Sequence, residues 1–181
     1  MQRSSTKLCD GQRGFSILEM MLATILLLVG LVAVAQLVPA SILLNYRNRT
    51  DSSALVYAQR ELDQFLGQPL TVTSFTDADG NLCSLGNPAA PNTVLPDSTA
   101  AIFYNGQTVI NFNDAPQPGY NFLFPNPATA NPTDVIYDVR WAVIVTGSGG
   151  TASSKRFIVG VRQAGGSGYF QPITLDTMVE K

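Results

Sequence analysis

At residues 13–38 the chain reads RGFSILEMMLATILLLVGLVAVAQLV, an apolar run with a single carboxylate near its start. The span 20–38 has about 19 residues, close to the roughly 20 that a helix needs to cross a bilayer. Only Thr24, Gly30 and Gln36 interrupt it. A charge at the centre of a membrane helix costs roughly 2.5–3.5 kcal/mol, so such residues usually pair or mark a function. The stretch predicts a membrane helix with a functional Glu19.

A pairing partner for Glu19 can arise by proteolysis. If a peptidase cuts between Gly14 and Phe15, the new chain begins with an α-amine on Phe15, at the i, i+4 spacing from Glu19. A neighbouring copy could offer its amine to this carboxylate. The alternatives are an ordinary signal anchor with an accidental glutamate and a secretory signal peptide. A signal peptide fits less well, because its apolar segment is usually 7–15 residues long.

These residues resemble the type IV prepilin signal, which has a short basic leader ending in glycine, then a phenylalanine, and a glutamate as the fifth residue after the cut. The resemblance covers about a tenth of the chain. It implies cleavage after Gly14 by a prepilin peptidase, N-methylation of Phe15, and guidance of filament docking by Glu19. It also implies other pilin subunits and an assembly platform in the inner membrane as partners.

The charges are unevenly distributed along the chain. The leader carries Arg3, Lys7 and Arg13 against Asp10, whereas the rest holds eight basic and twelve acidic residues. Under the positive-inside rule, the leader stays in the cytoplasm and the body crosses the membrane once, into the periplasm. An acidic body also argues against nucleic acid as a partner.

Three segments are expected on this basis. Residues 1–14 are a prepilin leader that is cleaved, residues 15–43 are the transmembrane and assembly helix, and residues 44–181 are a periplasmic pilin-like head. The expected location is the inner membrane, followed by a pilus or pseudopilus after assembly.

Helical periodicity continues beyond the apolar run. The apolar positions on one stripe are Leu55, Ala58, Leu62 and Phe65. Charged residues, Glu61 among them, are placed on other faces, and Gly67 and Pro69 end the helix. Pro39 predicts either a bend or locally melted stretch at 36–39 or a simple kink at the membrane surface.

The remaining sequence predicts antiparallel β-structure. Asn105-Gly106 lies between residues 101–104 and 107–112 and is a strong hairpin signal. Alternating apolar residues at 135–145 predict a half-buried strand, with Trp141 as a core anchor. Further predictions are a flexible turn at 147–154, a strand at 155–163 anchored by Phe157, a surface loop at 113–132 and a final strand at 169–175. The fold class is therefore α+β and pilin-like, with a long N-terminal helix, half membrane and half amphipathic, packed on an antiparallel sheet.

Three short segments carry a second resemblance. They are Ala-Gln-Arg-Glu-Leu at 58–62, Tyr-Asp-Val-Arg-Trp at 137–141 and Lys-Arg-Phe-Ile-Val at 155–159. They look like PilV-type minor pilins and the small pseudopilins of type II secretion. The resemblance implies a minor structural subunit of a type IV pilus-like filament. The alternatives are a minor pseudopilin of a type II secretion system and a DNA-uptake or adhesion module displayed on the filament.

The two cysteines do not form a disulfide framework. Cys9 lies in the leader, which leaves Cys83 alone in an oxidising compartment. Many major pilins close a C-terminal loop with a disulfide, so this difference favours a minor pilin or pseudopilin. Cys83 is predicted to be a small buried hydrophobe, and an intermolecular bridge is the alternative.

The sequence predicts no enzyme and no cofactor. It contains no histidine, which excludes histidine triads and histidine-ligated metal sites. Asp134 and Asp138 are interpreted as solvated charges on one strand face. Cys83 has no histidine partner to activate it as a nucleophile.

A short acidic turn is the one candidate for a metal site. Asp77, Asp79 and Asn81 could begin a calcium loop, but an EF-hand needs a glutamate at its twelfth position, which is Pro88 here. A polar turn explains the same residues. We expect no metal, and a non-EF calcium loop is the alternative.

Overall fold

The computed structural model describes residues 14–91, 93–94, 101–165 and 172–180. These residues form one long helix, α1, Ile17–Leu66, followed by short and long β-strands. The strands are β1 Ser74–Thr76, β2 Leu82–Ser84, β3 Thr93–Val94, β4 Ala101–Tyr104, β5 Gln107–Ile110, β6 Asn121–Phe124, β7 Tyr137–Ser148, β8 Thr151–Gln163 and β9 Ile173–Glu180. The predicted α+β architecture, a long N-terminal helix packed on antiparallel strands, is confirmed.

Contacts divide the chain into two units, Met1–Asn45 and Tyr46–Lys181. In the first unit every described side chain is exposed. α1 is long and apolar enough to cross a membrane, judged by its length and composition. It remains helical through Pro39, so the locally melted stretch predicted at 36–39 is wrong. One missing backbone donor does not outweigh the cooperative propagation of the turns on either side.

The centre of the second unit is a long antiparallel hairpin of β7 and β8. Its register runs from Tyr137 opposite Gln163 to Ser148 opposite Thr151, with an irregularity between Thr146 and Gly147. The flexible turn predicted at 147–154 is therefore much shorter, because pairing continues to Ser148 and resumes at Thr151. β9 pairs with the other side of β8, whereas β3 and β6 pair with opposite ends of β7.

The helix-facing core is built around three large aromatic residues. The ring centroid of Phe65 lies 5.3 Å from that of Trp141 and 5.5 Å from that of Phe157. All three side chains are buried, as predicted for the two strand anchors. The indole N–H of Trp141 donates a 2.8 Å hydrogen bond to the carbonyl of Ser84, which ties the core to β2.

The helical stripe that packs on the sheet is shifted from the predicted one. Its buried members are Thr50, Ala54, Ala58, Glu61 and Phe65. Leu55 is exposed and Leu62 is half-buried at the edge of the core. This row is spaced by three or four residues and includes two alanines, so the face that packs on the sheet is not the one richest in leucine.

A second layer covers the opposite face of the hairpin. Ile110 and Phe112 pack there against Ala142 and Ile158. A Cβ at Gly160 would lie 2.8 Å from the Ile110 side chain, so glycine permits this close approach. β7 is consequently buried on both faces over residues 137–143, and the prediction of a half-buried strand is wrong.

The shorter strands depart from the predicted boundaries. The β4–β5 hairpin and its Asn105-Gly106 turn are confirmed, although β5 ends at Ile110. The segment 113–132 is not entirely loop, because β6 lies within it and pairs with β7. β9 begins at Ile173 and only overlaps the predicted strand at 169–175, of which residues 169–171 lie outside the described part.

Candidate functional site

The start of α1 places the predicted cleavage point outside the helix. Gly14 and Phe15 precede the first helical residue, Ile17, and the Phe15 side chain is 82% exposed. Ser16 caps the helix, because its hydroxyl accepts a 3.3 Å hydrogen bond from the backbone N–H of Leu18. The Gly14–Phe15 peptide bond thus lies on non-helical, accessible backbone, as a protease requires.

Glu19 occupies the first turn of α1. It lies three residues after the capping serine, the spacing of a capping box, and a negative charge there interacts favourably with the helix dipole. Within the residues that the structure describes, no cation forms an ion pair with Glu19. Its carboxylate is exposed and remains available to a group from outside the described chain. The spacing of Ser16 and Glu19 is a local signal of a helix start.

The first unit offers an uncovered apolar surface. The exposed fractions of Leu18, Leu27 and Leu37 are 78%, 64% and 65%. Apolar surface of this extent is normally covered by lipid or by other protein chains. The arrangement can therefore insert into a bilayer or pack against other helices.

The candidate calcium residues come together in one turn. Asp77 accepts hydrogen bonds from the backbone N–H groups of Asp79 and Asn81, at 2.9 and 2.7 Å, and from the Asn81 side chain at 2.8 Å. Asp79 forms an ion pair with Arg60 of α1. These oxygens are therefore already used in an Asx turn and in its attachment to the helix.

Glu61 was predicted on a polar face, but its side chain is fully buried. It accepts hydrogen bonds from Arg60 and Gln64, whereas Gln64 in turn accepts one from the backbone N–H of Ala78. Burial raises the pKa of Glu61, and the charge of Asp77 acts in the same direction against the attraction of Arg60. Arg60, Glu61 and Gln64 thus attach the acidic turn to α1, and we call this group the helix–turn clasp.

One ligand atom each from Glu61, Asp77 and Cys83 lies within 4.8 Å of the others. The prediction that Cys83 is buried is confirmed. Burial, with the charges of Asp77 and Glu61, raises the pKa of the thiol to about 12. A thiol that stays protonated is a poor nucleophile and a poor metal ligand. Glu61, Asp77 and Cys83 each already have a hydrogen-bond partner. The packing of the acidic turn on α1 therefore explains why these three residues lie close together.

Lys155, Asp138 and Arg140 are also buried, which the sequence patterns did not predict. Lys155 is 1% exposed, its ammonium donates a 2.6 Å hydrogen bond to the carbonyl of Val72, and burial lowers its pKa to about 8. Asp138, predicted to be solvated, is buried in an ion pair with Arg140 at 2.9 Å. The cause is the second layer, since Arg140 also donates to the carbonyl of Asp114.

Comparison with known protein families gives a match at the N-terminus. Residues 9–35 match the prokaryotic N-terminal methylation motif. Comparison with curated proteins and with solved structures finds no match. The matched residues include Gly14, Phe15 and Glu19, together with the start of the exposed apolar part of α1. This motif, on a long apolar helix that leads into an α+β head, supports a type IV pilin-like protein.

Proposed function

We propose that the chain is a minor structural subunit of a type IV pilus-like filament, assembled from the inner membrane through α1. The observation that carries the proposal is the exposed apolar helix that begins inside the methylation motif. Proteins with this motif are structural rather than enzymatic. The partners are other pilin subunits, the prepilin peptidase and the assembly platform of the inner membrane.

Maturation begins at the accessible backbone before Ser16. The peptidase cuts after Gly14 and Phe15 is N-methylated, so residues 1–14 are the leader and the mature chain starts with a charged secondary amine. Residues 15–43 then act as the membrane and assembly helix, and residues 44–181 as the periplasmic head. The location of the protein before assembly is the inner membrane.

Assembly transfers the apolar helix from lipid to a bundle of identical or related helices. Apolar side chains bury against one another in the filament core, and the α-amine of Phe15 neutralises Glu19 of a neighbour. The head lies on the outside. A carboxylate without this partner would be a buried unpaired charge, so the pair selects the register of docking.

The free, buried Cys83 favours a minor role. The described residues contain no disulfide that closes a loop of the head, whereas many major pilins have one. The same feature fits a minor pseudopilin of a type II secretion system, which is the second candidate. Cell fractions separate the two, since a pilus subunit is recovered in sheared surface filaments and a pseudopilin stays with the envelope.

Processing is tested by a substitution at the cut. We expect Gly14→Val to block cleavage and leave the precursor in the membrane, because the branched side chain does not fit where the peptidase accepts glycine. Gly11→Val is the matched control and should be processed normally. Mass spectrometry of the mature protein measures the N-terminus, and a chain that begins anywhere other than Phe15 would contradict the proposal.

Filament entry is tested at the carboxylate. We expect Glu19→Ala to be cleaved and to stay in the membrane, since a carboxylate near the end of a span is not needed for insertion. Its recovery in filaments should fall at least tenfold, because breaking a buried ion pair typically costs about 3–5 kcal/mol. Thr24→Ala, in the same apolar run, is the control. Equal recovery of both variants would exclude a role for the ion pair.

A further inference from the structure

A cleft of about 620 Å³ lies beside the part of α1 that belongs to the second unit. Arg49, Ser53 and Tyr57 line its helical side and share one face, because they are spaced four residues apart. The opposite side comes from the end of β6 and from residues 133–137. The methylation motif ends at residue 35, so this cleft is separate from the processing site.

Aromatic rings and polar donors meet in this cleft. The ring of Tyr57 lies 4.8 Å from that of Phe124 and 5.0 Å from that of Tyr137. Burial raises the pKa of Tyr137, whereas a hydrogen bond with Ser53 and the charge of Arg49 act in the opposite direction. Arg49, Ser53 and Tyr137 all line the cleft. Because the two hydroxyls share a hydrogen bond, one of them can donate to a ligand beside the Arg49 guanidinium.

The cleft places one cation, Arg49, opposite one carboxylate, Asp134. Arg49 forms no ion pair with any described carboxylate. Asp134 lies on the opposite side, where its Oδ2 accepts hydrogen bonds from the backbone and side chain of Asn131. This carboxylate disfavours a dianion such as a phosphate monoester. It can accept a hydrogen bond from a hydroxyl or ammonium group on a phosphodiester.

The position of the cleft in the chain indicates the source of such an anion. Beyond Val38 the apolar residues Ile42, Leu43 and Leu44 extend the stretch, and Tyr46 and Arg49 lie within the next five residues. In a membrane-anchored helix, tyrosine and arginine at this point lie at the level of the lipid headgroups. We propose that the cleft binds the phosphodiester headgroup of an anionic glycerophospholipid, with Arg49 on the phosphate and Asp134 on the headgroup alcohol. The inference rests on the membrane anchoring proposed above.

Binding holds the head at the membrane surface before assembly. The lipid contact is lost when the helix leaves the bilayer, so it favours the stored subunit over the assembled one. Glycerophosphodiesters in solution offer the same phosphate chemistry but lack the acyl chains that deliver the headgroup to this point.

The test uses the full-length protein in maltoside micelles. Short-chain phosphatidylglycerol is titrated calorimetrically at about 0.5 M salt, which screens general surface attraction. We expect Arg49→Gln to weaken binding about tenfold, the loss expected for a charge-assisted hydrogen bond. Arg47→Gln removes the same charge two residues away but does not line the cleft, and should bind as the wild type does. Thr133→Glu adds a second carboxylate to the exposed wall and should weaken binding similarly.

Each other outcome overturns the proposal. Equal effects of Arg49→Gln and Arg47→Gln would mean unspecific attraction. Binding of soluble glycerophosphoglycerol, the deacylated headgroup diester, as tight as that of the lipid would remove the membrane as the source. If the Arg49→Gln variant binds lipid normally but enters filaments poorly, the cleft contacts a neighbouring subunit and not a lipid. Filament recovery and N-terminal processing are measured separately. Failure of the proposed pilin function can therefore be distinguished from failure of the lipid site.

Discussion

Lys155 and Glu61 are both fully buried, and different hydrogen bonds compensate the loss of solvation of each charge. Among the described residues, the Lys155 ammonium donates to the carbonyl of Val72, whereas Glu61 accepts from Arg60 and Gln64 of the clasp. The pKa of Lys155 is lowered and that of Glu61 is raised, so each charged form is disfavoured by burial. These residues contribute to a pH dependence of stability that their surface-exposed counterparts would not produce.

Lys155→Met should remove one component of that pH dependence. In the wild type the pKa of Lys155 is about 8 in the folded state, against 10.5 when unfolded. The unfolded chain therefore binds more protons between these values, and the free energy of unfolding rises as the pH increases through them. The gain is about 3 kcal/mol at roughly 1.4 kcal/mol per pKa unit.

The measurement compares urea unfolding of full-length wild type and Lys155→Met in micelles at several pH values from 7.5 to 10. Titration of Cys83 and the tyrosines is common to both proteins and cancels in the difference. Parallel curves for the two proteins would show that Lys155 is solvated.

Prediction from sequence at this scale is most direct where a function depends on neighbours in the chain. Gly14, Phe15 and Glu19 lie within six residues, and the matched motif contains all three. It missed Lys155, because the carbonyl that holds it belongs to Val72, 83 residues away. Burial of a charge is decided by such distant partners, which no local pattern reveals.

Among the elements, α1 and the turn after β1 are coupled through the clasp. Glu61 and Gln64 project from the helix, and Asp77 organises the turn. Burial at this junction makes the neutral form of Glu61 the preferred one over a wider pH range than in water. The stability of the junction between α1 and the turn therefore depends on pH.

Glu61→Gln should test the clasp. Because the folded-state pKa of Glu61 is raised above 4.5, the stability contributed by its bound proton is complete below pH 4.5 and is lost as the pH rises through the folded-state value. The glutamine variant carries no such loss, so it should be more stable than the wild type at neutral pH and similar to it near pH 4.

Thermal unfolding of both full-length proteins at pH 4 and 7 gives the answer. Asp79→Asn is the control, since it removes the more exposed partner of the same arginine and should change stability by less than about 1 kcal/mol. If Glu61→Gln is less stable than the wild type at neutral pH, the attraction between Glu61 and Arg60 outweighs the cost of burying the carboxylate.

Local chemistry predicted some elements and not others. The β4–β5 turn was predictable because Asn105 and Gly106 have φ values of 48° and 82°, which this residue pair adopts readily. The end of α1 at Leu66 followed from Gly67 and Pro69. β3 and β6 were missed, since each is short and exists through pairing with β7. Prolines around β6 further concealed it.

In the molecule as a whole, Trp141 joins the layers of the second unit. It contacts Phe65 of α1, lies on β7, and donates to Ser84 at the end of β2. The sequence predicted its burial from one alternating face. It did not predict the second layer, because the packing of Ile110 and Phe112 on Gly160 depends on a close approach between distant segments.

Trp141→Ala should destabilise the second unit by about 3–5 kcal/mol, the usual cost of truncating a buried aromatic residue. Phe103→Ala is the control, because Phe103 is 78% exposed and its loss should change stability by less than about 0.5 kcal/mol. Near-ultraviolet circular dichroism of the full-length proteins during denaturation measures both. Similar midpoints for the two variants would contradict the described core.

β9 has consequences for solubility when many copies are crowded together. Within the described residues it pairs with β8 alone, so its other side presents unpaired backbone groups. Such an edge is a template for uncontrolled strand addition. Asp176 and Glu180 are exposed on this strand. Asp176 is paired with Arg156 of β8, so Glu180 supplies the charge that would repel its counterpart on a second copy. Ordered association through α1 can then proceed while aggregation through the sheet is opposed.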